Sequence, residues 1–220
     1  MKREQVEITS FDGLKIRGFY YEYSPDSPLE LIFHGYGGNA ERDLSGGVER
    51  CFALGRSVLL VDQRGSGKSQ GNIISFGVNE RFDCALWVDY LINRFGKDVP
   101  IVLIGLSMGA ATVMMASDIV PKENVRGIIA DCGFSSPKEI LLEVAQQRKF
   151  PVKISYFLLK IGARIFGNFD IESSSAVESV KNTPIPILFI HGEGDGFVPC
   201  SMSRICHSSC RSKKMLFTVK

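Results

Sequence analysis

The sequence predicts a doubly wound α/β fold with a mostly parallel sheet, and three observations predict it. Short, uninterrupted apolar runs recur along the chain, as expected of strands buried on both faces. Amphipathic or alanine-rich helical stretches separate them. The opening segment Val6–Tyr23 is strand-rich and carries Asp12-Gly13 in its middle, a strong hairpin signal. With 220 residues, 45% of them hydrophobic and 23% charged, the chain is long and apolar enough to bury a sizeable core.

Taken in order, Ser24–Pro28 reads as a turn after the hairpin. The buried-strand candidates are Leu29–Phe33, Ser57–Val61, Ile101–Leu106, Val125–Ala130 and Ile187–Ile190, with Met215–Val219 as a last strand. The stretch Asn79–Phe95 places Cys84, Val88, Leu91 and Phe95 on one helical stripe. Ala110–Val120 is rich in alanine and methionine and suits a helix. About fifty residues separate Cys132 from Thr183, where a parallel crossover needs roughly a dozen. The whole chain, 1–220, therefore reads as a single domain with a helical insertion at about 134–182. Lys149–Phe166 is its clearest helix, with Lys149, Lys153, Lys160 and Arg164 tending to one side. The insertion is expected to form a lid over the C-terminal edge of the sheet, where such folds bind ligands. An extra helical pair packed on the domain and a membrane-surface helix are the alternatives.

Composition also excludes several classes. The formal net charge is +2 and no Lys/Arg block stands out, so no nucleic-acid partner is expected. No apolar run follows Lys2 and Arg3, which argues against a signal peptide. Phe150–Phe166 is interrupted by Lys153, Lys160 and Arg164 and cannot span a bilayer. Six scattered cysteines read as reduced thiols of a cytoplasmic protein. Cys200, Cys206, His207 and Cys210 cluster, yet lack the paired C-x2-C knuckles of common zinc sites, so no metal is expected. Gly65–Ser69 mimics a phosphate loop, but Asp62 stands where that loop needs glycine. No organic cofactor is implied.

The sharpest signal is Gly105-Leu106-Ser107-Met108-Gly109, between an apolar strand and a helix. This is the strand–turn–helix setting of the G-x-S-x-G elbow, which holds a nucleophilic serine on a strained corner. Three more motifs accompany it. His34-Gly35-Tyr36-Gly37-Gly38-Asn39 ends a strand, Asp62–Ser69 reads D-x-R-G-x-G-x-S, and His191–Pro199 reads H-G-x-x-D-x-x-V-P. Four such motifs in this order resemble the α/β-hydrolase superfamily, and within it the small lid-bearing serine hydrolases of esterase or S33-peptidase type. The resemblance covers nearly the whole chain. It implies that Ser107 attacks an acyl carbonyl, that the backbone N–H groups of Tyr36 and Met108 form the oxyanion hole, and that Asp195 orients a histidine. Asp131, also at a strand end, is the alternative acid. The implied substrate is a small-molecule carboxylic ester, with amides and thioesters as further options.

The base is the departure from the family pattern. The triad runs in the order Ser, acid, His, with the histidine in a loop after the last strand. Here Lys213–Lys220 reads as that strand and no such loop follows it. His34 and His191 read as structural, and His207 is the one histidine after Asp195. The expectations are a native chain that continues past Lys220, a natural short form, or His207 as substitute base. A non-catalytic acyl-ligand-binding protein is the alternative function.

Overall fold

The computed structural model describes residues 3–220. The predicted hairpin is β1 (Arg3–Thr9) and β2 (Lys15–Tyr21), antiparallel, with Ile8 opposite Ile16. The remaining strands are β3 (Leu29–Phe33), β4 (Ser57–Val61), β5 (Ile101–Leu106), β6 (Val125–Asp131), β7 (Ile187–Gly192) and β8 (Lys214–Val219). They form one eight-stranded sheet in the order β1-β2-β4-β3-β5-β6-β7-β8. All pairs from β4 to β8 are parallel, and β2 joins β4 antiparallel. Strands β3 and β4 are buried throughout, which explains their largely apolar sequence; Glu30 and Ser57 are their polar exceptions.

The helices are α1 (Ala40–Ala53), α2 (Glu80–Phe95), α3 (Met108–Ala116), α4 (Pro137–Gln147), α5 (Val152–Gly167), α6 (Ala176–Asn182) and α7 (Cys200–Ser209). The larger core lies on the sheet face covered by α2, α3, α6 and α7, and includes Trp87, Val88, Leu91, Leu103 and Phe189. Helix α1 covers the other face, where Phe19, Ile32, Leu44, Val48 and Leu60 pack together. No helix among the described residues is long and apolar enough to cross a membrane.

Three expectations need correction. The helix foreseen over Lys149–Phe166 begins at Val152. Lys149 has φ +57°, and Pro151 restricts Phe150 before it, so α4 and α5 are separate. The insertion holds three helices in place of a pair. The helix foreseen at Ala110–Val120 begins directly after Ser107 and ends at Ala116.

The order β4-β3-β5 decides where a site can form. The chain leaving β3 turns toward β4 through α1, and the chain leaving β5 turns toward β6 through α3. Their C-terminal ends diverge to opposite faces of the sheet and open a crevice between β3 and β5, the switch point at which open α/β sheets bind ligands.

Candidate active site

Ser107 stands at that switch point. Its backbone has φ +53°, ψ −111°, a sparsely populated conformation for a residue with a Cβ. The surroundings impose it. A Cβ on Gly105 would collide with the backbone of Gly109 and Ala110, and one on Gly109 would collide with the carbonyls of Phe33 and His34. Only glycine at both places lets β5 turn into α3 against the end of β3. The Ser107 N–H donates to the carbonyl of Asp131 at 2.7 Å, which ties the corner to β6.

The turn after β3 runs along the serine. A Cβ on Gly35 would lie 3.4 Å from Ser107 Cβ and 3.9 Å from its Oγ. Tyr36, next in the chain, is exposed and stacks on Phe76 with ring centroids 5.6 Å apart. The backbone N–H groups of Tyr36 and Met108 have no acceptor among the described residues. For Met108 this follows from its place at the head of α3, where helical N–H groups lack partners.

A network that sequence reasoning missed holds this turn. Gln63 N–H donates to His34 Nε2 at 3.0 Å, and the Gln63 side-chain amide donates to the His34 carbonyl at 2.7 Å. Thr112 on α3 donates to Gln63 Oε1 at 3.0 Å. Gln63 therefore links the turn to the helix behind Ser107. Asp62 accepts from the N–H of Ala40 and of Lys68, so the D-x-R-G-x-G-x-S loop also caps α1. Arg64 is buried against Asp83, which likewise accepts from Ser10. The motif was visible in the sequence, but its role as a brace was not.

The histidines are occupied. His34 is buried, and burial pushes its pKa below the usual value. Its Nε2 accepts from Gln63, so the proton sits on Nδ1, which donates to the Gly35 carbonyl at 2.7 Å. His191 is also fully buried. Its Nε2 donates to the Val198 carbonyl at 2.8 Å, and its Nδ1 bonds the Ser203 hydroxyl at 2.6 Å. His207 packs edge-on against Phe189 and does not line the Ser107 cavity. Burial, then the charge of Lys214, lowers its pKa. Among the described residues, Ser107 Oγ has no histidine partner.

Asp195 sits in the loop after β7. One carboxylate oxygen accepts the N–H groups of Phe197 and Val198 at 2.8 and 2.9 Å, so it bonds its own turn. The other oxygen lies 3.7 Å from His191 Nε2. Cys132, His191 and Asp195 place ligand-type atoms within 4.8 Å of one another. Both ring nitrogens of His191 are already bonded, so this group offers a metal no imidazole lone pair. Asp131 lines a different cavity, beside Asp43 and Arg50 next to α1.

The Ser107 cavity measures about 390 Å³. Tyr36, Met108, Phe134, Val144, Phe150 and Phe197 are among its walls, and no charged side chain lines it. Helices α4 and α5 supply one side through Leu141, Ala145, Ser155 and Leu159.

Residues 31–155 match the family model described as the alpha/beta hydrolase fold. The chain belongs to this family. It is 28% identical to the uncharacterized protein YqkD of Bacillus subtilis over 97% of this chain and 72% of the relative. To the protein bem46 of Schizosaccharomyces pombe it is 27% identical, over 99% of this chain and 69% of that one. Among solved structures, the esterase Pf2001 of Pyrococcus furiosus superposes with a TM-score of 0.77 at 21% identity, covering 100% of this chain and 81% of the esterase. That likeness is one of fold. The expected α/β-hydrolase sheet with its N-terminal hairpin is thus present.

Proposed function

We propose that this α/β hydrolase is a serine hydrolase of carboxylic esters that forms an acyl-enzyme on Ser107. The observation that carries the reading is the strained Ser107 corner, with two unpaired backbone N–H groups beside it and an apolar cavity in front. In this reading Ser107 Oγ attacks the ester carbonyl and the oxyanion is received by the N–H groups of Tyr36 and Met108. Each such donor is worth about 3 kcal/mol of transition-state stabilisation. The free oxygen of Asp195 would orient and charge-balance a histidine base. None of the three described histidines is assigned that role. The three helices between β6 and β7 would serve as a lid, since α4 and α5 wall the cavity.

A second reading is favoured by the missing histidine contact: the cavity binds acyl ligands without turning them over. Chemical rescue separates the two. We expect p-nitrophenyl butyrate hydrolysis by the 220-residue chain to rise with added imidazole above a Ser107→Ala control, with a butyryl group on Ser107 in the intact mass. A rescue absent from the folded chain, or equal in Ser107→Ala, favours the binding protein. Oxyanion hole and binding alone sustain only about 10³–10⁴-fold acceleration over water.

A further inference from the structure

A second cavity lies beyond the first. It measures about 560 Å³ and runs beneath α5, between Ile73 and Ile74 on one side and Leu158, Ala163 and Phe166 on the other. Phe76, Leu141, Phe150, Ser155 and Leu159 line both cavities. The two are therefore chambers of one trough that starts at Ser107. No charged side chain lines either chamber. Both volumes lie in the range of small-ligand pockets.

The chemistry of the walls selects the occupant. A peptide would bring backbone N–H and C=O groups into a trough that gives them almost nothing to pair with. A sugar would lose the hydration of its hydroxyls in the same way. An acetyl or butyryl group would occupy the chamber at Ser107 and leave the second one in contact with water. We infer that the trough receives a linear hydrocarbon chain, the long acyl arm of a neutral ester, running from Ser107 under α5 toward Phe166. This deepens the hydrolase reading, because that reading identifies Ser107 as the reacting end. Each methylene drawn from water into such walls contributes about fourfold in affinity.

The test uses 4-nitrophenyl n-alkyl ethers with butyl, octyl and dodecyl chains, which cannot acylate serine. Equilibrium dialysis against the full chain should give a Kd that falls from butyl to octyl, by up to about 250-fold for four fully buried methylenes, and again to dodecyl. Gly162→Phe and Ala163→Phe should remove the dodecyl gain. Gly162 and Ala163 line the chamber, and a Cβ on Gly162 meets no atom within 4 Å, so a larger side chain there fits without displacing the helix. Equal affinity for all three chains overturns the inference, as does a chain-length dependence that survives both substitutions. A crystal grown with the dodecyl ether gives an independent check: its terminal methyl should touch Ala163 or Phe166, and density leading elsewhere overturns the inference. Because the ethers need no nucleophile, chain-length dependence without imidazole rescue would sink the hydrolase reading alone, and rescue without chain-length dependence would sink the trough alone.

Discussion

The switch point and helix α5 face each other across one cavity and are built in opposite ways. Around Ser107 the backbone is fixed from every side. Gly105 and Gly109 leave no room for a methyl group, Gln63 ties the β3 turn to α3, and every residue of α3 is buried. Helix α5 has sixteen residues and none of them is buried. Phe157 is 63% exposed and Phe166 is 79% exposed. The difference teaches how one pocket can combine precision with tolerance. Ser107, the proposed nucleophile, is held by close packing, where small displacements are costly. The opposite wall buries none of its own residues and is tied by Tyr156, Lys160 and Arg164 to Asp170 and Glu172, so on the proposed reading it sets chain length by surface contact and not by close packing.

That contrast can be broken most severely at Gly109. Gly109→Ala forces a methyl group onto the carbonyls of Phe33 and His34 and should cost about 3 kcal/mol or more. The thermal midpoint should fall by roughly 6–12 °C. A midpoint within two degrees of wild type, about half a kcal/mol, would mean the corner is far less constrained than described.

A smaller effect is expected from the charge beneath the same strand. Glu30 on β3 is fully buried and bonds Cys51, Arg56 and Arg50. Burial pushes its pKa up, but the Cys51 and Arg56 hydrogen bonds and the Arg50 charge outweigh it, and the net shift is downward. A carboxyl lowered on folding adds stability above its unfolded value, near 4.5, and that stability is lost as pH falls through the folded value. Glu30→Gln should therefore cost about 2 kcal/mol at pH 7 and flatten the loss between pH 5 and 3. Urea midpoints across that range measure both. Parallel pH profiles for the two proteins would remove Glu30 from the account.

The smallest effect sharpens the comparison from the other side. Phe157→Ser on the outer face of α5 should change stability by no more than about half a kcal/mol, because the ring is already in water. A loss above 1 kcal/mol in urea denaturation would show that α5 is anchored more firmly than its exposure indicates.

What the sequence revealed follows the same division. The central strands β3, β4 and β5 were legible because burial on both faces leaves few polar positions to blur them. The elbow was legible because Gly105, Ser107 and Gly109 answer a steric demand that few other residues meet. Helix α1 was not foreseen. Gly46-Gly47 lies within it and weakens its helical signal, and only Ala40, Leu44, Val48 and Cys51 are buried in it. Its start is fixed by the Asn39 cap and by Asp62, a partner twenty-two positions from Ala40. The Gln63 brace and the second chamber are likewise products of distant segments meeting, which no local pattern announces. The break between α4 and α5 was signalled by Phe150-Pro151, but the apolar run beyond it hid the signal.

One feature of the sheet governs how the protein behaves in a tube. Strand β8 stands at one end of the described sheet, with β1 at the other, and Met215, Phe217 and Val219 are exposed along it. In the 220-residue chain this edge ladder with apolar side chains is a template for another strand. Concentration is therefore an experimental variable for this molecule: light scattering should be followed alongside every binding curve, and a charged residue in place of Phe217 is the first remedy for a sample that clouds.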